Sequence, residues 1–317
     1  MFARFLILLS LLPFLWLGGS TDRGQLPFTG SKLVALQATP IDVRSILHSP
    51  TLRPLRGWIL SSDDPDFGGL SALSAGPSGL VAVSDTGLTV RFGADLKTAR
   101  LQSLPPACVP HQLKRERDSE SLVVDPATRW TWIGFEYRNL ICRIAPDGSA
   151  VAFAPPAMAD WPKLTGPEAM VRRVDGRFLV FDEKGRKGGS VAPLLLFDRD
   201  PVDRKAGVTK MEYRAPDQYH PSDAALLPDG RMLVVNRRHA FLLDFSAIVT
   251  LVEPFAAKPG LTVRGQPVAL LAPPGVADNF EGITVEQRAG KTFVWLVSDD
   301  NFLPEQRTYL LEFVVQQ

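Results

Sequence analysis

A weak internal repeat of about 50 residues is the feature that most constrains the fold of this chain. Each copy begins with a short, mostly apolar strand candidate, and an acidic residue opens four of the five copies. Repeats of this length build solenoids, propellers or arrays, so similar units are expected rather than one irregular core. The five opening segments are residues 68–72, 120–124, 168–171, 223–227 and 281–285.

The remainder of each copy also follows one pattern. A hairpin turn follows the opening strand, and then come a second strand that is apolar on both faces, a polar turn and a third strand. A looser fourth segment closes most copies. The predicted second strands are 80–83, 130–133, 178–181, 232–235 and 293–297, and the predicted third strands are 88–92, 140–144, 193–197, 241–245 and 308–314.

Four antiparallel strands repeated in this way are typical of the blades of a β-propeller. We count five blades, and a degenerate sixth blade is left open. The segment 32–61 is β-like and precedes the first copy, so it is expected to close the ring by adding an outer strand to the last blade. Residues 21–317 contain no long amphipathic helix and no linker. An all-β, single-domain propeller is therefore predicted, and the constant order of units argues against two stacked sandwiches.

Residues 1–20 are predicted to be a signal peptide. Arg4 supplies a positive charge, residues 5–17 form an apolar run, and residues 18–20 are small, as a cleavage site requires. An uncleaved anchor is the alternative, although a run of about 13 residues is short for a membrane span. The mature protein is therefore expected to be periplasmic or secreted, with no stable membrane span.

The charge balance argues against nucleic acid as a partner. Removal of residues 1–20 takes away only Arg4, which leaves equal numbers of basic and acidic residues. Nucleic-acid binding requires a strongly basic surface.

The two cysteines of the chain are Cys108 and Cys142. In an oxidising compartment they can form a disulfide. They can equally be two small buried residues, and both interpretations are left open.

The acids that open the copies are expected to meet at one mouth of the central channel, because the innermost strand of each blade lines that channel. Carboxylates held close together raise one another's pKa, and a hard cation relieves the repulsion. Calcium, which takes six to eight oxygen ligands, is the expected cofactor. An acid in this place can instead accept backbone N–H groups or pair with an arginine. The predicted metal ligands are Glu120, Glu168, Asp223, Glu281, Asp299 and Asp300, with Asp85, Asn236, Asn279 and Asn301 as further candidates.

The same mouth is expected to carry arginines, whose forked guanidinium groups match phosphate and carboxylate oxygens. Histidines are candidate proton carriers. A bound metal together with these groups would polarise a phosphoryl group and activate water. Solvated turn residues and simple packing are the alternatives. The predicted substrate-binding residues are Arg138, Arg237, Arg238 and Arg307, and the predicted catalytic residues are His111, His220 and His239.

Two parts of the chain resemble one known family. Residues 66–71 (DFGGLS) and 83–87 (VSDTG) resemble the start of the bacterial phytase-like domain, also called "esterase-like activity of phytase". Residues 278–283 (DNFEGI), 295–302 (WLVSDDNF) and 306–308 (QRT) resemble its closing signature. The resemblance extends over about residues 55–315. It implies a propeller fold, export, and hydrolytic activity on phosphate or carboxylic esters.

The residues and the resemblance together predict an exported, calcium-dependent hydrolase that acts on a small anionic or ester substrate. A metal-bound water would attack without a covalent enzyme intermediate. Two alternatives are left open. One is a non-catalytic propeller of the cell envelope that binds a ligand or protein at the same mouth, and the other is a lactonase-type propeller hydrolase.

Overall fold

The structure is a computed structural model that describes residues 28–76, 79–110, 113–184, 189–239 and 244–316. It contains a short α-helix, α1 (Lys114–Arg117), and a 3-10 turn at Pro156–Met158. The rest of the regular structure is β. In chain order the strands are β1 (Ser31–Ala35), β2 (Gln37–Ile41), β3 (Leu47–His48), β4 (Leu52–Ser61), β5 (Leu70–Gly76), β6 (Gly79–Ser84), β7 (Leu88–Phe92), β8 (Thr98–Ser103), β9 (Ser119–Val124), β10 (Thr131–Phe135), β11 (Leu140–Ile144), β12 (Ala150–Phe153), β13 (Pro167–Arg172), β14 (Phe178–Asp182), β15 (Val191–Phe197), β16 (Val208–Arg214), β17 (His220–Leu226), β18 (Met232–His239), β19 (Phe245–Val252), β20 (Thr262–Arg264), β21 (Gln266–Leu271), β22 (Asn279–Arg288), β23 (Lys291–Asp299) and β24 (Thr308–Val315).

These strands form five sheets, which we call blades 1 to 5. From the inside outward their orders are β5-β6-β7-β8-β1, β9-β10-β11-β12, β13-β14-β15-β16-β20, β17-β18-β19-β21-β3 and β22-β23-β24-β4-β2. The five innermost strands contact one another in cyclic order, and β22 returns to β5. The predicted five-bladed β-propeller is confirmed, and every strand in the described ranges belongs to one of these blades.

The core of the molecule lies between the blades. Five apolar clusters are present, one for each pair of neighbouring blades. The second strand of a blade contributes to the clusters on both of its sides, and in β14 all five residues are buried. The apolar runs in the sequence therefore identify strands that lie inside a stack of sheets.

The N-terminal segment closes the ring as predicted. Strand β4 pairs antiparallel with β24, and β2 pairs with β4, so both complete blade 5. The same segment also contributes more than the sequence suggested, because β1 forms the outer edge of blade 1 and β3 that of blade 4. The beginning of the chain therefore ties together three of the five blades.

Three further predictions concern the cysteines, the third strand of the fourth copy and the signal peptide. Cys108 and Cys142 form a disulfide between the loop before α1 and strand β11. The third strand of the fourth copy was placed too early, since β19 begins at Phe245 and residues 240–243 lie outside the described ranges. The predicted signal peptide also lies outside them. Within the described ranges, no helix is long and apolar enough to cross a membrane.

Candidate functional site

Each innermost strand carries one bulged residue near its start, where the register with the second strand shifts. A bulge redirects a side chain locally, and bulges are common beside functional sites. Since the bulge recurs in every blade, it identifies equivalent positions around the channel. We call this set the inner ring, and its members are Ser71, Glu120, Glu168, Ser222 and Glu281.

A second set of equivalent residues lies where the second strand of each blade ends. In blades 1, 2 and 3 their backbone N–H groups bond back to the carbonyls of Gly69, Asp118 and Thr165, which precede the innermost strands. In blades 4 and 5 they lie opposite His220 and Asn279. We call this set the outer ring, and its members are Asp85, Glu136, Glu183, Arg237 and Asp299.

Blade 2 contributes the group of acids that is best arranged to hold a cation. One carboxylate oxygen from each of Asp118, Glu120 and Glu136 lies within 4.8 Å of the others. All three residues are only partly buried. Burial and the neighbouring carboxylates raise the pKa of Asp118 to about 7 and that of Glu136 to about 8. The same two causes raise the pKa of Glu120 well above its usual value.

Arg237 compensates the acids of blades 3 and 5. Its guanidinium group lies 3.1 Å from Glu281 Oε1 and 3.4 Å from Glu183 Oε1, and it donates to Asn279 Oδ1 at 3.2 Å. Burial alone would lower the pKa of Arg237, but four glutamates including Glu281 and Glu183 outweigh it and raise that pKa.

Lys114, on α1, compensates the negative charge of blade 1. Its ammonium group lies 2.6 Å from Asp85 Oδ2 and 3.8 Å from Asp118 Oδ1. Burial would lower the pKa of Lys114, but Asp85, Asp118 and Glu120 raise it. Even so, burial keeps the pKa of Asp85 above its usual value.

The two rings and Asp118 together contain eight carboxyl groups. In the part of the chain that the structure describes, three cations form salt bridges with them: Arg237, Lys114 and Lys184. An excess of partly or fully buried carboxylates over cations is unfavourable when all of them are ionised, which favours proton uptake or cation binding at this site.

Asp223, a predicted metal ligand, is not brought together with these acids. It follows the bulged residue Ser222, so the alignment that made it equivalent to the glutamates was shifted by one position. Its carboxylate accepts the backbone N–H groups of Ala224 and Ile283, each at 2.8 Å. Burial raises its pKa well above the usual value, against the effect of these hydrogen bonds. In this structure Asp223 joins blade 4 to blade 5.

The other predicted metal ligands do lie at the mouth. Glu120, Glu168 and Glu281 belong to the inner ring and Asp299 to the outer ring, while Asp300 lies beside it. Asp300 accepts the backbone N–H groups of Gly69 and Phe302 and the hydroxyl of Thr308, so its carboxylate joins blade 5 to blade 1. Of the further candidates, Asn279 donates to Glu281 at 2.8 Å, whereas Asn236 bonds to Tyr213 and Thr250 inside the core.

The predicted arginines separate into one that enters the site and three that do not. Arg138 donates to the carbonyl of Cys108 and stacks over Phe135. The Arg238 side chain bonds to Ser246 and Asp244, and Arg307 bonds to carbonyls of its own loop. Of the four, only Arg237 forms salt bridges with the acids of the two rings.

The histidines have three different positions. His111 lies outside the described residues. His239 is exposed and stacks on Phe245 at 4.5 Å. His220 is half-buried opposite Arg237, and burial lowers its pKa, so that its imidazole is neutral near pH 7. Its Nδ1 is buried and has no hydrogen-bond partner among the described residues.

Four participants were not identified from the sequence: Asp118, Glu136, Glu183 and Lys114. Glu136 and Glu183 stand in the polar turn after the second strand, as Asp85 and Asp299 do, so the repeat contained the signal. Asp118 and Lys114 belong to the helical insertion before β9, and no pattern in the repeat indicates where such an insertion folds.

Gly69 allows blade 1 to share this geometry. It has φ +62°, and a Cβ atom at this position would lie 2.3 Å from Asp85 Oδ1. A larger residue would therefore be strained in its backbone and would displace the carboxylate. This explains why the first copy of the repeat begins with glycines.

Comparisons with known proteins found similar solved structures and one matching family. Among solved structures, a gluconolactonase from Xanthomonas campestris has a TM-score of 0.49 and 14% identity, with coverage of 88% of this chain and 98% of that chain. A catalytically inactive virginiamycin B lyase from Staphylococcus aureus has a TM-score of 0.42 and 10% identity, with coverage of 90% and 100%. No curated protein matches the sequence at a significant level.

The sequence itself matches one family model. The match extends over residues 65–302, which include the innermost strands of all five blades and every member of the two rings. The chain therefore belongs to the phytase-like family, whose description is "esterase-like activity of phytase".

Proposed function

We propose that this protein is an exported, cation-dependent hydrolase of phosphoesters or related esters that acts at the acidic mouth of its channel. The observation that carries the proposal is the excess of carboxyl groups there: eight, against three described cations that form salt bridges with them and Arg117, whose charge also acts on Asp85. Membership of the phytase-like family supports hydrolysis of an ester.

The residues present fit a hard divalent cation. The donors at the mouth are carboxylate and amide oxygens, the ligands that Ca²⁺ prefers. Asp85 Oδ1 is buried and has no hydrogen-bond partner among the described residues, so an oxygen at the mouth is available to a ligand. Asp118, Glu120 and Glu136 would hold the cation, because one carboxylate oxygen of each lies within 4.8 Å of the others.

A cation held there would polarise a phosphoryl or carbonyl oxygen and make bound water more acidic. The chain's own residues would do the remaining work. His220, which is half-buried opposite Arg237 and has a lowered pKa, is the candidate to accept the proton of the attacking water. Arg237 would hold the Glu183 and Glu281 side chains in place through its salt bridges.

The proposal is tested with the purified full-length protein. We expect added Ca²⁺ to raise the melting temperature of chelator-treated protein, because a ligand that binds only the folded state stabilises it. We also expect turnover in a panel of phytate, p-nitrophenyl phosphate and p-nitrophenyl acetate to require the cation. Glu136→Gln should lose both effects. Asp198→Asn, at an exposed acid that pairs with Arg199, is the matched control.

Each other outcome has a definite meaning. With glucono-δ-lactone added to the panel, turnover of this lactone but of neither the phosphate esters nor p-nitrophenyl acetate would favour the lactonase alternative. Calcium binding without any turnover would favour the non-catalytic propeller. If chelation and Glu136→Gln change neither stability nor activity, the carboxylates have a structural role and the proposal fails.

A further inference from the structure

A cavity of about 630 Å³ lies between blades 5 and 1, away from the acidic mouth. It is lined by residues at the ends of β5 and β22, including Ala75 and Glu286, whereas the mouth lies at the starts of the same strands. Glu286 is five residues beyond Glu281, which corresponds to about 16 Å along a strand. The cavity is therefore a separate site within the size range of small-molecule pockets.

One wall of this cavity is aromatic. The indole rings of Trp58 and Trp295 are nearly parallel, with an interplanar angle of 19° and centroids 6.2 Å apart. Trp295, Leu80 and Phe92 are buried, while Trp58 is partly exposed. Arg56 lies over the Trp58 ring, with its guanidinium carbon 5.0 Å from the ring centroid, so the cavity meets the part of this indole that Arg56 leaves exposed.

A chain of polar groups borders the aromatic wall. Trp295 Nε1 donates to Glu286 Oε2 at 2.8 Å, and Arg288 approaches the same oxygen at 3.4 Å. Arg288 also donates to Glu312 Oε1 at 2.7 Å, and Arg56 donates to Glu312 Oε2. Two arginines and two glutamates therefore pair with one another, and the group has no net charge.

This combination selects a ligand by charge and shape. Asp95 and Lys97 also line the cavity, so its charged groups balance, and a ligand with a net charge would meet repulsion as well as attraction there. A purely hydrocarbon ligand would leave the polar atoms around the wall without water or partners. A neutral ring with one apolar face and hydrogen-bonding groups at its edge satisfies both conditions, because the face covers an indole and the edge meets the carboxylates and guanidinium groups.

We propose that the cavity between blades 5 and 1 binds a neutral sugar ring. The C–H face of the ring lies on Trp58, and its hydroxyl groups bond to Glu286 and Arg56. The inference is independent of the hydrolase proposal, since none of these residues belongs to the acidic mouth.

The test is saturation-transfer NMR of the full-length protein with methyl β-D-glucopyranoside, methyl β-D-galactopyranoside and maltose at millimolar concentrations. We expect saturable binding of at least one of these sugars. Trp58→Ala should weaken it about tenfold, equivalent to about 1.4 kcal/mol. Ala38→Trp, which fills the cavity from strand β2, should also abolish it.

Two control variants distinguish binding in this cavity from binding elsewhere on the protein. Trp130→Ala removes a partly exposed tryptophan of blade 2 that also carries a stacked arginine, Arg143, so it should leave binding unchanged. Glu136→Gln, at the acidic mouth, should leave it unchanged as well. Absence of saturable binding by all three sugars would overturn the proposal. So would binding that survives both Trp58→Ala and Ala38→Trp, or displacement of the sugar by toluene or by phenyl phosphate.

Discussion

Replacement of Arg237 by glutamine tests how the acidic mouth is held together. Arg237 is the one member of the outer ring that is not acidic. Its guanidinium group lies 3.1 Å from Glu281 and 3.4 Å from Glu183, and its side chain is 22% exposed. Glutamine preserves part of the side-chain volume and some hydrogen bonding but removes the charge.

The expected loss of stability follows from these distances. At an effective dielectric constant of 20, each contact corresponds to a gross attraction of about 5 kcal/mol. Desolvation of the partners offsets part of this attraction, but removal of one partner from a buried pair still costs about 3–5 kcal/mol. For a protein of this size the melting temperature should fall by about 5–8 °C.

The loss should depend on pH in one direction. Burial already raises the pKa of Glu281, and without Arg237 that pKa rises further. A carboxyl group whose pKa is higher in the folded state than in the unfolded state binds more protons when the protein is folded. Such a group destabilises the folded protein increasingly as the pH rises above its unfolded-state pKa of about 4.3. The deficit of Arg237→Gln relative to wild type should therefore be larger at pH 8 than at pH 5.

The assay is urea unfolding at pH 5 and pH 8 in the presence of chelator, followed by intrinsic fluorescence. Arg238→Gln is the matched control, because this neighbouring arginine bonds to Ser246 and Asp244 instead. It should change stability by less than about 1 kcal/mol. The reasoning is refuted if Arg237→Gln is as stable as Arg238→Gln at pH 8, or if its deficit is larger at pH 5.

Three further predictions concern other parts of the structure. Asp223→Ala should cost about 2–4 kcal/mol in urea unfolding, equally with and without Ca²⁺, because buried backbone N–H groups lose their acceptor; a cost that Ca²⁺ removes would instead assign Asp223 to the cation site. Cys108→Ser should cost about 3–4 kcal/mol under oxidising conditions, since the bond to Cys142 closes a loop with a sequence separation of 34 residues, and reductant should abolish the difference from wild type. Calcium should bind more weakly at pH 6 than at pH 8 in calorimetry, because Asp118, with a pKa of about 7, and Glu136, with a pKa of about 8, must lose protons; equal affinity at both pH values would contradict this.

The blades were predictable from the sequence because strands buried on both faces must be apolar throughout. Such runs recur, and hairpin turns separate them, so four of the five third strands and all of the second strands lie close to their predicted positions. The positions of the outermost strands β1 and β3 were not predictable. They are short edge strands, and their partners lie far away in the sequence.

The composition of the inner ring was only partly predictable, because its register depends on a bulge. A bulge adds one residue to a strand without changing the apolar pattern around it. In three blades the acid is itself the bulged residue, but in blade 4 the bulge is Ser222 and the acid comes next. A shift of one residue changes the direction of a side chain in a strand, so Asp223 meets backbone N–H groups instead of the other carboxylates.

The directions of the arginines were not predictable for a different reason. A long flexible side chain takes the direction in which it finds acceptors, and the sequence does not contain that information. Arg237 and Arg238 are neighbours in one strand and therefore point to opposite faces of blade 4. Only the first of them meets the glutamates, while the second meets Asp244.

The location of the candidate cation site follows from where the fixed cations are. A five-bladed ring places one side chain per blade around the same axis, so a uniform ring of carboxylates would concentrate charge without relief. Arg237 reduces the repulsion between the carboxylates of blades 3 and 5, and Lys114 does the same in blade 1. Blade 2 has only a distant contact from Lys114, at 3.8 Å, yet it contributes Asp118, Glu120 and Glu136. We therefore expect the proposed cation at blade 2, where three carboxylates converge and the one salt bridge with a described cation is this long contact from Lys114.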